Sequence, residues 1–474
     1  MITLPGSLFF ICLGLLIVLA CVVQQSYSML IKARQLSSDE DLLNEPMNEL
    51  GILRILLWSA ALIMVLGYPV YQFVIYNGWE AHVMDWLHLI VRWFHIIIGI
   101  AWIGASFYFT FLENSLNRVE NLRPELAGDL WALHGGGFYY LEKYKGAPKL
   151  LPKTLHWFKY EAYFTWVSGI VLLFLVYYIN ADAIMLDPAI SSISGPHAIL
   201  LGIGSLLISW VIYDFLCNTR LLYKNTAFAL VGFGILTGIA YYLSTQFSGR
   251  AAFMHLGALL GTIMVGNVFF VIIPAQKALV KAAKQNLPIN FERNKIAGLR
   301  SLHNNYITFP VLFIMISNHF PTTFGNSVNW LVFAILTVGS VAVKHYINLH
   351  EKGRNVSWLI VAGALALIGV IGLTAPESKR STNNQAVVSF AQVQPIFQKH
   401  CISCHSANPT DDVYKVAPAG VMYDTPDQIR KVADKILIRA VQTKTMPQGN
   451  KTGMTDAERE TLGVWISQGA KLDQ

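Results

Sequence analysis

The run Cys401-Ile-Ser-Cys404-His405 places two thiols three positions apart and an imidazole directly after them. Thiols at this spacing can form thioether bonds to the vinyl groups of a porphyrin, and the adjacent histidine is then held under the iron as an axial ligand. A zinc half-site or a redox dithiol would use the same two cysteines, but no second pair exists to complete a zinc site. Cys12, Cys21 and Cys217 lie in or beside apolar segments. A covalent haem c is therefore expected, with Cys401 and Cys404 as attachment points and His405 as iron ligand. The sixth ligand calls for a soft donor on a loop, and Met446 in "TKTMPQGN" fits best, ahead of Met454 and Met422. A methionine raises the haem potential relative to a second histidine, which suits a one-electron carrier.

A second set of candidates sits in greasy surroundings. His88 and His95 are two turns apart on one helix face, with Arg92 between them. Charged and imidazole side chains are costly in lipid, so they belong in a protein interior and are functional candidates by default. The plain alternative for any one of these histidines is an interhelical hydrogen bond. As a group they suggest a haem b between helices, held by His95 and His255.

The elements that must position these residues follow from composition. With 54% hydrophobic and 13% charged residues and a mean hydropathy of +0.46, the 474-residue chain reads as a membrane protein with a polar end. A spanning helix needs about 20 apolar residues. Ten segments qualify: 7–23, 51–75, 86–112, 161–179, 197–217, 227–244, 251–273, 303–318, 328–349 and 357–374. Lys and Arg concentrate in alternate loops, those after the first, third, fifth, seventh and ninth segments, which are therefore cytoplasmic. The net charge of +7 is explained by these loops, and nucleic acid is not an expected partner. Both termini then face outward. The first segment reads as an uncleaved helix, because its leader "MITLPGS" lacks the positive charge of a signal peptide. The pairs Gly234/Gly238 and Gly257/Gly261 have the spacing of close helix packing.

The expected division is an N-terminal extension with two spans (1–75), an eight-helix membrane domain (76–375), a polar linker (376–386) and a small domain (387–474). In that last domain Thr425 with Gln428, and Thr455 with Glu458, have the spacing of helix capping boxes. The fold class is all-α: a polytopic transmembrane bundle of about ten helices followed by a small α-helical, class I-like cytochrome c domain.

The runs "WLHLIVRWFHIIIGIAWIGASFYFTFLENSL" (86–116), "WALHGGGFYYLEKYKGAPKLLPKTLHWFKYEAYFTWVSG" (131–169) and "RSLHNNYITFPVLFIMISNHFP" (300–321) resemble the membrane-bound urate hydroxylases fused to cytochrome c. The tail runs "GVMYDTPDQI" and "TKTMPQGNKTGMTDAERETLGVWISQGA" resemble the cytochrome domain of that family. The resemblance extends from about Trp86 to the C-terminus and leaves residues 1–75 outside it. It implies oxidation of urate to 5-hydroxyisourate with water as the oxygen source. Electrons would leave through the haem c to a downstream cytochrome c oxidase or soluble cytochrome c, with no hydrogen peroxide formed. It also implies a multi-pass protein of the bacterial inner membrane with its haem domain in the periplasm. A non-enzymatic, membrane-anchored electron-transfer subunit is the alternative reading.

Urate is a planar anion near neutral pH, so a site for it should offer an arginine, amides, aromatic surface and a proton acceptor. Two constellations meet this description: Arg92, His95 and Trp102, and Arg300, His303, Asn304, Asn305 and Tyr306. Arg92, His303, Asn304 and Tyr306 are the expected catalytic residues. "HGGGF" (134–138) reads as a tight loop, since no GxSxG nucleophile accompanies it. Glu161, at a helix start, reads as a dipole partner that could serve as a base.

Overall fold

The computed structural model describes residues 72–119, 121–375 and 387–472. The expected span at 7–23, nearly all of the one at 51–75, and the linker therefore lie outside the described residues. Contacts divide the chain at Val91/Arg92 into two compact units, and the sites below belong to the second.

Eight helices follow one another through the apolar part: α1 (Glu80–Ser115), α2 (Tyr160–Leu173), α3 (Gly195–Cys217), α4 (Asn225–Gln246), α5 (Gly249–Gly266), α6 (Phe291–Ser317), α7 (Asn329–His350) and α8 (Trp358–Leu373). Each segment expected between 86 and 374 falls on one of them. A π-helical turn, Phe174–Tyr178, extends α2, and another, Asn267–Ile272, joins α5 to a further helical stretch, Ile273–Lys284. Six of the described helices, α1 to α5 with their extensions and α7, are long and apolar enough to cross a membrane. The chain is a membrane protein. α6 falls short in hydropathy for a physical reason: Arg300, Asn304 and Thr308 recur every fourth residue along one buried face, beside Asn305.

α5 is the centre of the bundle. Its Phe253, Leu256, Leu259 and Leu260 are buried in the main core with Ile314 of α6 and Leu206 of α3. Ser248 caps it, its hydroxyl accepting from the Ala251 amide while donating to the Ile184 carbonyl at 2.9 Å. Of the four glycines in the two GxxxG spacings, only Gly257 makes a close helix contact, against Ile314, and the other three have open space beside them. The tighter approach is elsewhere, at Gly266, where an added Cβ would lie 2.5 Å from the Trp210 ring. Gly266→Ala is expected to cost about 1–3 kcal/mol by overpacking. A lower thermal midpoint than wild type and than Gly261→Ala, measured in detergent, checks this.

One departure from helix interrupts the sequence between α1 and α2. Residues Leu126–His134 (β1) and Gly137–Tyr144 (β2) form an antiparallel hairpin. "HGGGF" supplies its two-residue turn, with Gly135 and Gly136 at φ +57° and +81°, values that glycine adopts without strain in such turns. The expected tight loop is thus the tip of a strand pair. Trp131 and Tyr140 stack across the strands with ring centres 4.7 Å apart.

The tail domain is built from α9 (Phe390–His400), α10 (Pro426–Lys431), α11 (Ala433–Ile436) with a π turn Leu437–Gln442, and α12 (Asp456–Ser467). Both expected capping boxes form, and Ser389 with Gln392 makes a third on α9. Val393 and Phe397 of α9 pack on Leu462 and Trp465 of α12. The domain rests on the bundle: Gly449 meets the Leu186 carbonyl, where a Cβ would approach to 2.8 Å, and Gly325 meets Thr443 and Thr445.

Candidate functional site

The thiol pair sits where α9 ends. His405 N–H donates to the Cys401 carbonyl at 2.9 Å, closing the turn that brings the imidazole beneath both cysteines. His405 Nδ1 lies 2.9 Å from the Val421 carbonyl, so Nδ1–H donates there and Nε2 is left for a metal. Burial pushes the His405 pKa down, the direction that favours the neutral ring an iron ligand needs. Burial also raises both thiols, Cys401 to about 12. A reactive dithiol shows the opposite shift. The residues fit a haem c. Such a group would supply a one-electron acceptor, with Cys401 and Cys404 to hold it covalently and His405 Nε2 available to its iron.

Met454 and Met446 differ in their surroundings, while Met422 is half-buried. Met454 is buried, 3% exposed, in the core with Leu462 and Trp465. Met446 is half-buried on a loop that is held at both ends. Its N–H donates to the Arg439 carbonyl at 2.9 Å, and its own carbonyl accepts from Arg459 at 2.6 Å. A second brace lies opposite: Lys451 pairs with Asp411 at 2.8 Å and also with Asp412. Burial pushes the Asp411 carboxyl up, but Lys451 and the Tyr414 and Val413 amides outweigh it and bring it down to about 2. A carboxylate depressed in the folded state stabilises fully above its unfolded value near 3.8 and progressively less as pH falls toward 2. The unfolding midpoint of the haem band is therefore expected to drop between about pH 4 and pH 2, with a flatter profile in Asp411→Asn.

Within the bundle, the expected catalytic residues divide. Arg300, 1% exposed, donates through Nη2 to Asp214 Oδ1 at 2.7 Å and through Nη1 to Asn267 Oδ1 at 3.1 Å. The Asn267 amide donates onward to Asn304 Oδ1 at 2.8 Å and to the Tyr213 hydroxyl at 2.9 Å, and Tyr213 bonds His303 Nδ1 at 2.9 Å. Phe228 stacks on His303, ring centres 4.5 Å apart. The π turn after α5 is what aims Asn267 inward, a common use of such bulges. This half of the polar layer is nearly self-satisfied, with only Arg300 Nε lacking a partner.

The neighbouring half is not. Asn305 donates to Thr110 and accepts from Asn348 at 3.0 Å, while Asn348 Oδ1 is buried with no partner. Lys344, one turn before Asn348 on α7, is 2% exposed. Its ammonium lies 4.2 Å from the centre of the Phe107 ring and 5.8 Å from that of Phe309. Among the described residues no carboxylate comes within ion-pair distance of it. Glu351 acts on it at longer range and is already engaged by Asn114. Tyr306 joins this half, its hydroxyl 2.6 Å from His345 Nδ1, with Asn348 as a neighbour. Sequence reasoning missed Lys344, Asn348, Asn267 and Asp214, although a lysine inside an apolar run was a readable signal.

Arg92 belongs to neither half. It is exposed on α1, and its electrostatic neighbours are Arg250 and Tyr177. Trp102 packs with Ala162, Val265 and Val268. Glu161 has Oε2 buried without a hydrogen-bond partner. The expected haem b between His95 and His255 does not fit. His255 is fully buried, its Nδ1 bonded to the Ala251 carbonyl at 2.8 Å and its Nε2 to the Tyr178 hydroxyl at 3.1 Å. The α3 backbone closes on the same nitrogen, for a Cβ on Gly202 would lie 2.6 Å from Nε2. No ring nitrogen is left to reach an iron. His95 bonds Ser168 at 2.9 Å, so both histidines act here as interhelical ties.

Residues 81–375 match a family model described as urate oxidase N-terminal, and residues 390–470 match one described as cytochrome c. No curated protein and no solved structure matches the chain.

Proposed function

Because the chain belongs to the urate oxidase N-terminal family and carries a cytochrome c domain, we propose that it is a membrane-bound urate hydroxylase with a built-in electron outlet. The urate anion and water give 5-hydroxyisourate, one proton and two electrons. The electrons leave one at a time through the haem c to a respiratory acceptor, either a soluble cytochrome c or a terminal oxidase, so no hydrogen peroxide forms. Cys401, Cys404 and His405 hold the haem, and Met446 is its second axial ligand, since Met454 is committed to the core.

The observation that carries the substrate reading is the unbalanced half of the polar layer. A buried ammonium with no counter-ion among the described residues, one turn from an amide oxygen without a partner, is costly unless something supplies the missing charge and donor. A planar anion with ring N–H groups supplies both: its charge meets Lys344, an N–H meets Asn348 Oδ1, and its face packs on Phe107 and Phe309. Tyr306, hydrogen-bonded to His345 Nδ1, can take a proton from the bound ring only as it hands its own to that imidazole, so His345 is the final proton acceptor. His303, Asn304 and Arg300 hold α6 in register through Asn267 and Asp214. Arg92 has no part in binding.

The orientation follows the loop charges: the haem domain faces the periplasm of a bacterial inner membrane, and lipid surrounds the bundle. Oxygen-free membranes given urate test the reading. Reduction of the haem c band with loss of urate absorbance is expected, with the label of isotopic water found in the product. If urate persists and the haem stays oxidised, the chain is instead a membrane-anchored electron-transfer subunit.

A further inference from the structure

The seam between the haem domain and the bundle gathers positive charge. Arg250, in the first turn of α5, donates through Nε to Asn318 Oδ1 at 3.0 Å, and its guanidinium lies 5.8 Å from the centre of the Tyr177 ring. That is its one hydrogen bond among the described residues, and both Nη nitrogens remain uncommitted. Across the seam, Tyr414 and Arg439 of the haem domain are both within its electrostatic reach. Each of these belongs to the haem environment: Arg439 acts on His405 and Tyr423, and Tyr414 is a neighbour of Cys404. Arg439 is forced partly out of solvent, and its pKa is pushed down first by burial and then by Arg250.

Arg250 and Arg439 repel each other across the seam and neither has an ion pair among the described residues, so an anion between them would relieve both. The packing of Gly449 on the Leu186 carbonyl and of Gly325 on Thr443 and Thr445 holds the two sides together. A haem attached at Cys401 and Cys404 would carry two carboxylates of its own, the anions such a pair of guanidinium groups could take. We propose that Arg250 of the bundle, together with Arg439, binds a propionate of haem c, so that the cofactor is gripped by both parts of the chain. The uncommitted Nη pair has the fork geometry that a carboxylate accepts. Arg250 thus serves as a positioning and potential-setting residue. A positive charge beside the haem favours the reduced, more negative state, and raises its potential.

The inference rests on the reading that the CxxCH run carries haem c, and haem content is therefore measured alongside. Full-length wild type, Arg250→Gln and Arg250→Lys are titrated in detergent against a one-electron mediator, following the haem c band. Equal covalent haem is expected in all three, because the thioethers are untouched. In Arg250→Gln the equilibrium should move about tenfold toward the oxidised haem, a fall of about 59 mV, and lysine should recover most of it. The freed propionate should also make the potential of Arg250→Gln fall as pH rises through neutrality. An unchanged potential in Arg250→Gln, or a loss that lysine does not rescue, overturns the proposal. If Arg250→Gln does not accumulate, Arg439→Gln is expected to shift the potential in the same direction, and an unchanged value there is equally fatal. A wild-type protein without covalent haem would sink the functional reading instead.

Discussion

Replacing Cys401 and Cys404 together by alanine is expected to give a protein without peptide-bound porphyrin and to bring urate-dependent electron output to background. Oxidation of urate releases two electrons, and in the proposed reaction they have one exit. His405 alone cannot retain a haem through purification, because its neutral Nε2 offers a single bond where the native site has two thioethers as well. The contacts of the proposed urate site, Lys344 over Phe107 and Phe309 and Asn305 on Asn348, are made far along the chain from the two cysteines. Urate binding, followed by tryptophan fluorescence or calorimetry, should therefore persist while turnover vanishes. Continued urate bleaching in the double variant would mean that the bundle delivers electrons by another route.

Lys344→Met is expected to weaken urate-dependent haem reduction by roughly 10- to 150-fold, the worth of a hydrogen bond to a charged group at about 1.5–3 kcal/mol. The same substitution should raise the thermal midpoint. It replaces a buried, unpaired ammonium by an apolar side chain of similar length, and removing such a charge relieves a desolvation cost. Opposite movement of activity and stability is the signature of a residue kept for function. A purely structural Lys344 would lower both together. The rate loss should lie mainly in the urate concentration needed for half-saturation, because the charge it meets is already present on the ground-state substrate.

The parts of this molecule that are local in sequence could be read without coordinates. Cys401, Cys404 and His405 sit within one turn, and Thr425 and Thr455 meet their capping partners three residues on. The apolar runs marked where the helices of the bundle would lie, since burial in lipid requires little beyond length and composition. What depended on distant segments meeting was not legible. The β-hairpin hides in a loop because its outward aromatic residues and inward ones both look greasy. Arg300 finds Asp214 and Asn267 from two other helices, a convergence that no spacing encodes. His255 illustrates the converse, for its depth and level matched those expected of a haem ligand. Tyr178 and Ala251 had already claimed both of its nitrogens. Lys344 was overlooked because α7 reads as one more apolar stripe, although a single lysine inside it, 2% exposed, is an unusual residue for such a stripe.

The seating of Gly449 on the Leu186 carbonyl makes the haem domain a fixed relay station and not a swinging arm. In the proposed reaction, throughput should then be insensitive to tether length, and an acceptor should approach the face of the domain opposite Gly449. A substitution at Gly449, where even a methyl group would collide with that carbonyl, is a way to unseat the station and turn a wired circuit into a diffusing one.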